Sequence, residues 1–151
     1  ILSNTTLDPI QLSSILKNLK KQKIEYVIME ASSHGLKQNR LDGLSFDIGI
    51  FTNISHDHLD YHETFDQYIL AKKILFDNLS KEAFALVNKD DKHSVTMLQN
   101  CQATLKTYSI KTISCYFTGS FNLPYLIFSF NRSKPLKYWV TLGNFMSRIL
   151  F

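Results

Sequence analysis

The sequence predicts an α/β fold in which helices flank a mostly parallel sheet. Short apolar segments alternate with amphipathic ones along the chain, which is the order of βαβ units. The apolar segments are continuous, as is typical of strands that are buried on both faces. With 151 residues, of which 44% are hydrophobic and 20% charged, the chain is long enough for a core and does not have the composition of a disordered protein.

The first helix is predicted at residues 9–21. Asp8 is a typical N-cap residue, Pro9 suits the first helical position, and Gln11 is placed as a capping-box partner. Several lysines near the end of this helix complement the negative end of its dipole. We therefore interpret them as a solvated helix end and not as a nucleic-acid surface. Apolar residues recur at helical spacing, and these are Leu12, Ile15, Leu16 and Leu19.

Further elements alternate along the chain. A long helix is predicted from Thr64, an N-cap with Gln67 as its capping-box partner, to about residue 79, and a shorter helix at residues 91–101. Four buried strands are predicted at residues 25–30, 46–53, 83–88 and 103–109.

The character of the sequence changes after residue 110. Short strands at residues 116–118, 126–130 and 138–142, separated by turn residues, suggest a small antiparallel extension at the sheet edge. We accordingly divide the chain into a main unit at residues 1–110 and a β-rich end at residues 111–151.

Composition argues against several classes of protein. The formal net charge is +4, and no basic run is interleaved with aromatic residues, so nucleic acid is not an expected partner. Cys101 and Cys115 do not have the spacing of a zinc or redox motif, which favours reduced thiols in a cytoplasmic protein. No apolar run reaches the length of a membrane span. The chain lacks an initial methionine and a signal peptide, so we expect it to begin inside a longer protein.

Polar side chains follow two of the predicted strands. The first strand ends at Glu30 and leads into Ser32, Ser33 and His34, and the second leads into the segment His-Asp-His-Leu-Asp-Tyr-His at residues 56–62. Ligands of open α/β sheets bind beyond the carboxyl ends of the strands. We expect the two strands to be neighbours and their polar ends to form one site, although a polar surface loop is the alternative for the histidine-rich segment.

Lys72 lies within the apolar stripe of the long helix, whereas Lys73 is predicted to lie one position away from the centre of that stripe. A buried ammonium is costly, so Lys72 needs an explanation. Its stem could be buried while the amine reaches water, which the physical chemistry alone favours. Alternatively, a depressed pKa would make the amine nucleophilic and able to form a carbamate with carbon dioxide. The apolar members of the stripe are Phe65, Tyr68, Ile69, Leu75, Phe76 and Leu79.

Three segments together resemble the central domain of the Mur ligases. They are Glu-Ala-Ser-Ser-His-Gly-Leu-Lys-Gln-Asn-Arg at 30–40, Phe-Thr-Asn-Ile-Ser-His-Asp-His-Leu-Asp-Tyr-His at 51–62, and Ala-Lys at 71–72. The resemblance covers residues 4 to about 108. It is strongest to the family members that add the third residue to UDP-N-acetylmuramoyl-L-alanyl-D-glutamate.

The resemblance implies a metal site. Glu30 and His58 would bind Mg²⁺ ions that bridge the phosphates of ATP, and Lys72 would be a carbamylated lysine near the second ion. These three residues form the implied catalytic and metal-binding set. His56 and His62 are expected to shape the loop and not to be ligands.

The resemblance also implies a substrate site. Arg40 suits this site because its planar fork pairs with a carboxylate through two hydrogen bonds. The residues that would contact the nucleotide-sugar dipeptide are Asn4, Thr5 and Thr6, and those that would hold its peptide and carboxylate end are Ser32, Gln38 and Arg40.

The implied reaction is ATP-dependent amide formation through an acyl phosphate in peptidoglycan biosynthesis. The implied partners are UDP-N-acetylmuramoyl-dipeptide, ATP and a diamino acid, with Mg²⁺ as cofactor, in a monomer that contacts no membrane. Meso-diaminopimelate is the default amino acid and L-lysine the alternative.

The sequence departs from the family pattern in two places. No Gly-x-x-x-x-Gly-Lys-Ser/Thr phosphate loop occurs in the 151 residues, so this segment alone is expected to be inactive. Residues 142–149 resemble a family segment near adenine, but Met146 and Ile149 replace its two asparagines. The alternatives are another Mur or folylpolyglutamate-type ligase, and a catalytically inactive nucleotide-sugar-binding fragment. The stretch Asn-Lys-Asp-Asp at 88–91 also resembles the family, without an assigned role.

Overall fold

The computed structural model of the chain describes residues 5–55, 59–109, 111, 117–118 and 137–142. The strands in this part of the chain are β1 (Tyr26–Glu30), β2 (Ile48–Phe51), β3 (Phe84–Asn88), β4 (Thr104–Ser109), β5 (Phe117–Thr118) and β6 (Lys137–Leu142). The helices are α1 (Pro9–Lys21), α2 (Ser33–Lys37), α3 (Leu59–His62), α4 (Phe65–Asp77) and α5 (Ser94–Leu98). The described strands form one parallel sheet, which confirms the predicted α/β class.

The sheet has the order β1-β6-β2-β3-β4-β5. Strand β6 pairs in parallel with β1 on one side and with β2 on the other, and β5 pairs in parallel with β4. The predicted antiparallel extension is therefore wrong for both described strands of the β-rich end. Turn residues between short strands suggested hairpins, but parallel pairing is set by contacts that are distant in sequence. The strand predicted at residues 126–130 lies outside the described residues.

Helix α1 begins where its cap predicts. The Asp8 carboxylate accepts hydrogen bonds from the backbone N–H groups of Ile10 and Gln11, at 3.0 and 3.1 Å. These bonds satisfy two of the donors that a helix start leaves without a partner inside the helix. Leu12 and Leu16 are buried against the sheet, whereas Ile15 is partly exposed.

Helix α4 begins after Thr64, whose hydroxyl accepts from the Gln67 backbone N–H at 3.2 Å. The end of this helix lies close to β2 at Gly49. A Cβ built on Gly49 would lie 2.9 Å from Cδ1 of Leu79 and 3.4 Å from Cε1 of Phe76. Glycine therefore allows the helix and the sheet to approach each other here.

Most predicted elements are found, with shorter bounds. Strand β2 covers only residues 48–51 of the predicted 46–53, and α5 covers residues 94–98 of the predicted 91–101. Helices α2 and α3 were not predicted, because five and four residues are too few to show helical periodicity. No helix in the described ranges is long and apolar enough to cross a membrane.

The core lies on both faces of the sheet. One cluster joins the sheet to the helices and includes Phe51, Phe76 and Met97, each of which is fully buried. A smaller cluster on the other face is formed by Ile48, Ile50, Leu86 and Tyr108. Burial on both faces explains why the strands read as continuous apolar segments.

Candidate functional site

The polar ends of β1 and β2 meet through helices and not through adjacent strands. The expectation that these strands are neighbours is wrong, because β6 lies between them and pairs with both. The two ends are instead connected by side-chain contacts between α2, with the residue that follows it, and α3. The Tyr61 hydroxyl accepts from Nε2 of Gln38 at 3.0 Å, and Nε2 of His62 is 2.9 Å from Oγ of Ser33. The ring centroids of His34 and Tyr61 are 3.9 Å apart.

Thr6 is the internal support of this arrangement. Its hydroxyl donates to the Glu30 carbonyl at 3.1 Å and accepts from the Ser32 N–H at 2.8 Å. The side chain is 1% exposed and lies against Gly35, where an added Cβ would come within 2.7 Å of Thr6. The described contacts of Thr6 thus hold the end of β1 and the start of α2. The predicted contact of Thr6 with a substrate stays a prediction, as does that of Thr5, which is exposed.

Ser32 caps α2, since its hydroxyl accepts from the Gly35 N–H at 3.1 Å. This bond uses one acceptor position of the hydroxyl and leaves its proton for another acceptor. Ser32 is half-buried. Both facts are compatible with its predicted contact with a substrate, which the structure does not test.

Arg40 is held in one orientation by two hydrogen bonds. Its Nε donates to Oε1 of Gln38 and its Nη1 donates to the Thr6 carbonyl, both at 2.8 Å. A guanidinium has five N–H donors, so these bonds account for two. Beyond these two bonds the guanidinium has three further N–H donors, and an arginine can bind a carboxylate through two of its N–H groups. Arg40 is half-buried, and Gln38 is exposed.

Glu30 and Lys72 are electrostatic neighbours. Burial raises the pKa of the Glu30 carboxyl above its ordinary value, and the positive charge of Lys72 acts in the opposite direction. Lys72 is 4% exposed, and its Nζ lies 5.1 Å from the centre of the Tyr68 ring. The structure therefore brings together two of the three residues of the implied metal-binding set.

Lys73 corrects the interpretation of the long helix. It is as buried as Lys72, at 4% exposure, so a position away from the centre of the apolar stripe does not leave it exposed. Its Nζ donates to Oδ1 of Asp77, four residues later on the same helix. The expectation that the Lys72 amine reaches bulk water is also wrong, because the residue retains too little exposed surface for a hydrated ammonium.

Several predicted residues lie outside the described part of the chain. Asn4, His56 and His58 belong to this group, and so do Met146 and Ile149. Their predicted roles stay predictions. Among the residues that the structure describes, no group of three or more His, Cys, Asp and Glu side chains forms a metal site.

Tyr61 is a site residue that the sequence analysis did not single out. It lies in the histidine-rich segment, yet its ring packs on His34 and its hydroxyl holds Gln38. Nζ of Lys37 is also 5.2 Å from the centre of the Tyr61 ring. The sequence did contain a signal for this role. Tyr61 lies between Asp60 and His62 in a polar motif, and tyrosine joins an apolar ring to a polar tip.

The comparison with protein families decides the relationship. The family described as the Mur ligase middle domain matches residues 2–126. This chain belongs to the Mur ligase family. The match includes both polar ends described above and helix α4, so the Glu30–Lys72 pair and the Arg40 fork lie inside the family domain.

Curated Mur ligases from several bacteria are similar to this domain. The UDP-N-acetylmuramoyl-L-alanyl-D-glutamate–2,6-diaminopimelate ligase of Parabacteroides distasonis is 50% identical over 111 residues, which are 74% of this chain and 23% of that protein. The ligase of the same name from Phocaeicola vulgatus is 49% identical over 111 residues, with the same coverage of both chains. The one from Brucella melitensis is 44% identical over 112 residues, which are 74% of this chain and 22% of that protein. The Mur ligase domain described here thus spans about a quarter of the length of these relatives.

A solved structure shares the fold. The structure titled as a UDP-N-acetylmuramoyl-L-alanyl-D-glutamate–2,6-diaminopimelate ligase aligns with a TM-score of 0.67 and 37% identity. The alignment covers 78% of this chain and 26% of that structure. The parallel sheet and its helices are therefore those of a Mur ligase central domain.

Proposed function

We propose that this chain is the central domain of an ATP-dependent ligase that joins meso-diaminopimelate to UDP-N-acetylmuramoyl-L-alanyl-D-glutamate. The observation that carries the proposal is the electrostatic pairing of half-buried Glu30 with buried Lys72, together with an Arg40 guanidinium that Gln38 and the Thr6 carbonyl hold in place. The names of relatives at 44–50% identity support the same reaction and the choice of diaminopimelate over L-lysine.

Lys72 acts in this proposal as a carbamate. The neutral amine attacks the carbon of carbon dioxide, a nitrogen–carbon bond forms, and one proton is released. The product carries a negative charge where the ammonium carried a positive one. Burial of Lys72 supports this step, because a low-polarity environment disfavours the charged ammonium and favours the reactive amine.

The Glu30–Lys72 pair fits Mg²⁺ once the carbamate has formed. Two adjacent negative groups in a partly buried site repel each other, and the pKa of Glu30 is already raised by burial. Their oxygen atoms are ligands of the kind that Mg²⁺ prefers. We propose that His58 adds a nitrogen ligand. The bound ion would neutralise phosphoryl oxygens of ATP.

Gln38 and Arg40 hold the acceptor substrate in this proposal. Arg40 pairs with a carboxylate of the dipeptide through its remaining N–H donors, while Gln38 and the Thr6 carbonyl keep the guanidinium from turning. In the reaction, a carboxylate of the D-glutamate accepts the γ-phosphoryl group of ATP and ADP leaves. An amine of the diamino acid then attacks the acyl carbon, loses a proton and displaces phosphate.

The decisive experiment is a ligase assay on the complete gene product. We expect phosphate release that requires ATP, UDP-N-acetylmuramoyl-L-alanyl-D-glutamate, Mg²⁺ and meso-diaminopimelate together. Equal or faster reaction with L-lysine would overturn the choice of amino acid. Binding of the nucleotide-sugar dipeptide without any turnover would overturn the ligase and leave a nucleotide-sugar-binding protein.

A second assay uses residues 1–151 alone. We expect no phosphate release from this segment in the same mixture, because its sequence contains no phosphate loop. Turnover by this segment would show that its own residues position the phosphates of ATP.

A further inference from the structure

The turn after β3 reaches across to the segment that leaves β2. Nδ2 of Asn88 donates to the Thr52 carbonyl at 2.9 Å, and Oδ2 of Asp91 accepts from the Ile54 N–H at 3.1 Å. Strands β2 and β3 are parallel neighbours, so their exits lie at the same edge of the sheet. Two side chains of one turn therefore hold alternate residues of the adjacent exit segment, residues 52–55.

The same turn is itself fixed from several directions. Oδ1 of Asn88 accepts from the Asp90 N–H at 3.0 Å, and Oδ1 of Asp91 accepts from the His93 N–H at 2.8 Å. Oδ1 of Asp90 accepts from the Ser109 hydroxyl at 2.6 Å, which ties the turn to β4. Asn88 and Asp91 thus use one side-chain atom to hold their own turn and the other to hold the exit segment. Neither side chain can turn away without losing two bonds.

The segment held in this way leads directly into the histidine-rich motif. Ser55 is three residues before His58, for which we propose a metal contact. The far end of the same motif is held by the Tyr61 and His62 bonds to Gln38 and Ser33. The geometry of a metal ligand depends on the segments that support it.

We propose that Asn88 and Asp91 are positioning residues of the ligase site, acting through residues 52–55 on the metal-binding motif. This inference rests on the proposed function, because it requires His58 to contact the ion. It assigns a task to the stretch Asn-Lys-Asp-Asp at 88–91. Asp90, which lies between them in sequence, accepts a hydrogen bond from Ser109 of β4.

The test uses Asp91→Asn in the complete gene product, with Mn²⁺ as a spectroscopic probe of metal affinity. An amide has only one acceptor oxygen, so one of the two backbone bonds of Asp91 is lost at nearly constant volume. We expect Mn²⁺ to bind about 10-fold more weakly, as is typical when a supporting residue of a metal ligand is changed. Hydrogen exchange at the Ile54 amide should become faster.

Ser109→Ala is the matched control. It removes the bond from β4 to the same turn and leaves both bonds to the exit segment in place. We expect a lower thermal midpoint with unchanged Mn²⁺ affinity. Equal loss of Mn²⁺ affinity in Ser109→Ala and Asp91→Asn would reduce Asp91 to a purely structural residue and overturn the proposal.

A double-mutant cycle with His58→Ala separates this proposal from the proposed function. If Asp91 acts through His58, then His58→Ala and the double variant should bind Mn²⁺ equally weakly. Wild-type Mn²⁺ affinity in His58→Ala would instead refute the metal role of His58 itself. Weak binding in His58→Ala with unchanged binding in Asp91→Asn would refute the positioning role alone.

A second variant covers the case in which Asp91→Asn does not fold. Asn88→Asp keeps the acceptor for the Asp90 N–H but replaces the donor to the Thr52 carbonyl with an oxygen. We expect the same direction of change in Mn²⁺ affinity and faster exchange at Ile54. Unchanged affinity in this folded variant would overturn the proposal.

Discussion

Two polar clusters of this domain lie beyond the carboxyl ends of parallel strands, and they differ in what their polar atoms contact. The Asn88 cluster consists of Asn88, Asp90, Asp91 and Ser109 and follows β3 and β4. Its hydrogen bonds include four to backbone groups of the turn and of the adjacent segment, and one between Ser109 and Asp90. The Glu30 cluster consists of Glu30, Ser32, Gln38, Arg40 and Lys72. It combines opposite charges with a guanidinium that Gln38 and the Thr6 carbonyl hold in place.

Position in the fold does not by itself identify a binding site. Parallel strands create a polar edge wherever they end, and part of that edge is needed to hold its own loops. A cluster whose acceptors point at nearby backbone N–H groups stabilises structure. A cluster that keeps unlike charges and directional donors can bind a ligand. Substitutions in the Glu30 cluster should therefore change activity more than stability. In the Asn88 cluster, Ser109→Ala should change stability alone, whereas Asn88 and Asp91 also support the segment at residues 52–55.

The largest expected effect comes from Lys72→Ala in the complete gene product. We expect kcat/KM to fall by at least about 100- to 1,000-fold, the usual cost of removing a group that stabilises developing charge. Added formate or acetate should restore part of the activity, because a small carboxylate can occupy the place of the carbamate. Full activity in the untreated variant would exclude the carbamate role.

Lys73→Ala is the matched control on the same helix. Lys73 is equally buried but bonded to Asp77, so we expect kcat/KM within about twofold of wild type and no response to formate. The loss of a buried stem and of an i, i+4 pair should lower the free energy of unfolding by about 1 kcal/mol. A carbamate signal from ¹³C-bicarbonate should be present in Lys73→Ala and absent in Lys72→Ala.

The next largest effect is expected for Arg40→Lys. Lysine keeps the charge, but it cannot bond Gln38, the Thr6 carbonyl and a carboxylate in one plane. A hydrogen bond to a charged group contributes about 1.5–3 kcal/mol, so KM for the nucleotide-sugar dipeptide should rise by about 10- to 100-fold. Lys37→Ala changes an exposed charge in the adjacent helix and should leave this KM unchanged. An unchanged KM in Arg40→Lys would place the substrate carboxylate elsewhere.

The sequence could predict the elements better than their order. Asp8, Thr64 and the apolar periodicity placed α1 and α4 within a few residues, because capping and periodicity are local. The position of β6 between β1 and β2 could not be predicted, since parallel neighbours are chosen by contacts between distant segments. The sequence analysis placed Glu30 and the histidine-rich segment in one site because it assumed that β1 and β2 are neighbours, and that assumption is wrong. They meet through Gln38 and Tyr61 and not through adjacent strands.

The lysines show the same limit inside one helix. Periodicity separated Lys72 from Lys73, but both are buried. A helical wheel shows on which face of the helix a residue lies. How deeply that residue is buried depends on the segments that pack over that face. The Asp77 partner of Lys73 was visible at i+4 in the sequence and distinguishes the two lysines better than the stripe does.

Tyr108, which precedes Ser109 in β4, is expected to make stability depend on pH. Burial raises the pKa of Tyr108 to about 12, with smaller contributions in the same direction from Asp90 and Asp91. Below about pH 10 the phenol is neutral in both states. As the pH rises from about 10 to about 12, the unfolded chain loses this proton first, so the free energy of unfolding falls by on the order of 2 kcal/mol.

Tyr108→Phe should remove this part of the pH dependence. Denaturant midpoints of both proteins, measured at intervals from pH 9 to pH 12, should fall more steeply for the wild type. Parallel curves would mean that Tyr108 titrates at its ordinary pKa. Substrate affinity at pH 8 should be the same in both proteins, because Tyr108 lies in β4 and is not part of the Glu30 cluster.

The smallest effect, and the sharpest test of the Glu30 cluster, is expected for Tyr61→Phe. The ring remains, so its contacts with His34 and with the Lys37 ammonium are kept, while the bond from Nε2 of Gln38 is lost. Gln38 is exposed, so water can replace the Tyr61 hydroxyl as its acceptor. The substitution therefore affects only the orientation of the Gln38 side chain. At about 0.5–1 kcal/mol for such a bond, KM for the nucleotide-sugar dipeptide should rise by about two- to sixfold. We expect kcat and the Mg²⁺ requirement to be unchanged, because Gln38 orients Arg40 and does not contact the Glu30–Lys72 pair in the described bonds.

Tyr26→Phe removes a hydroxyl at the other end of β1 and should leave KM at the wild-type value. A fall in kcat without a change in KM in Tyr61→Phe would contradict the division between a carboxylate-holding fork and a metal-holding pair, and would make the two parts of the Glu30 cluster one catalytic unit.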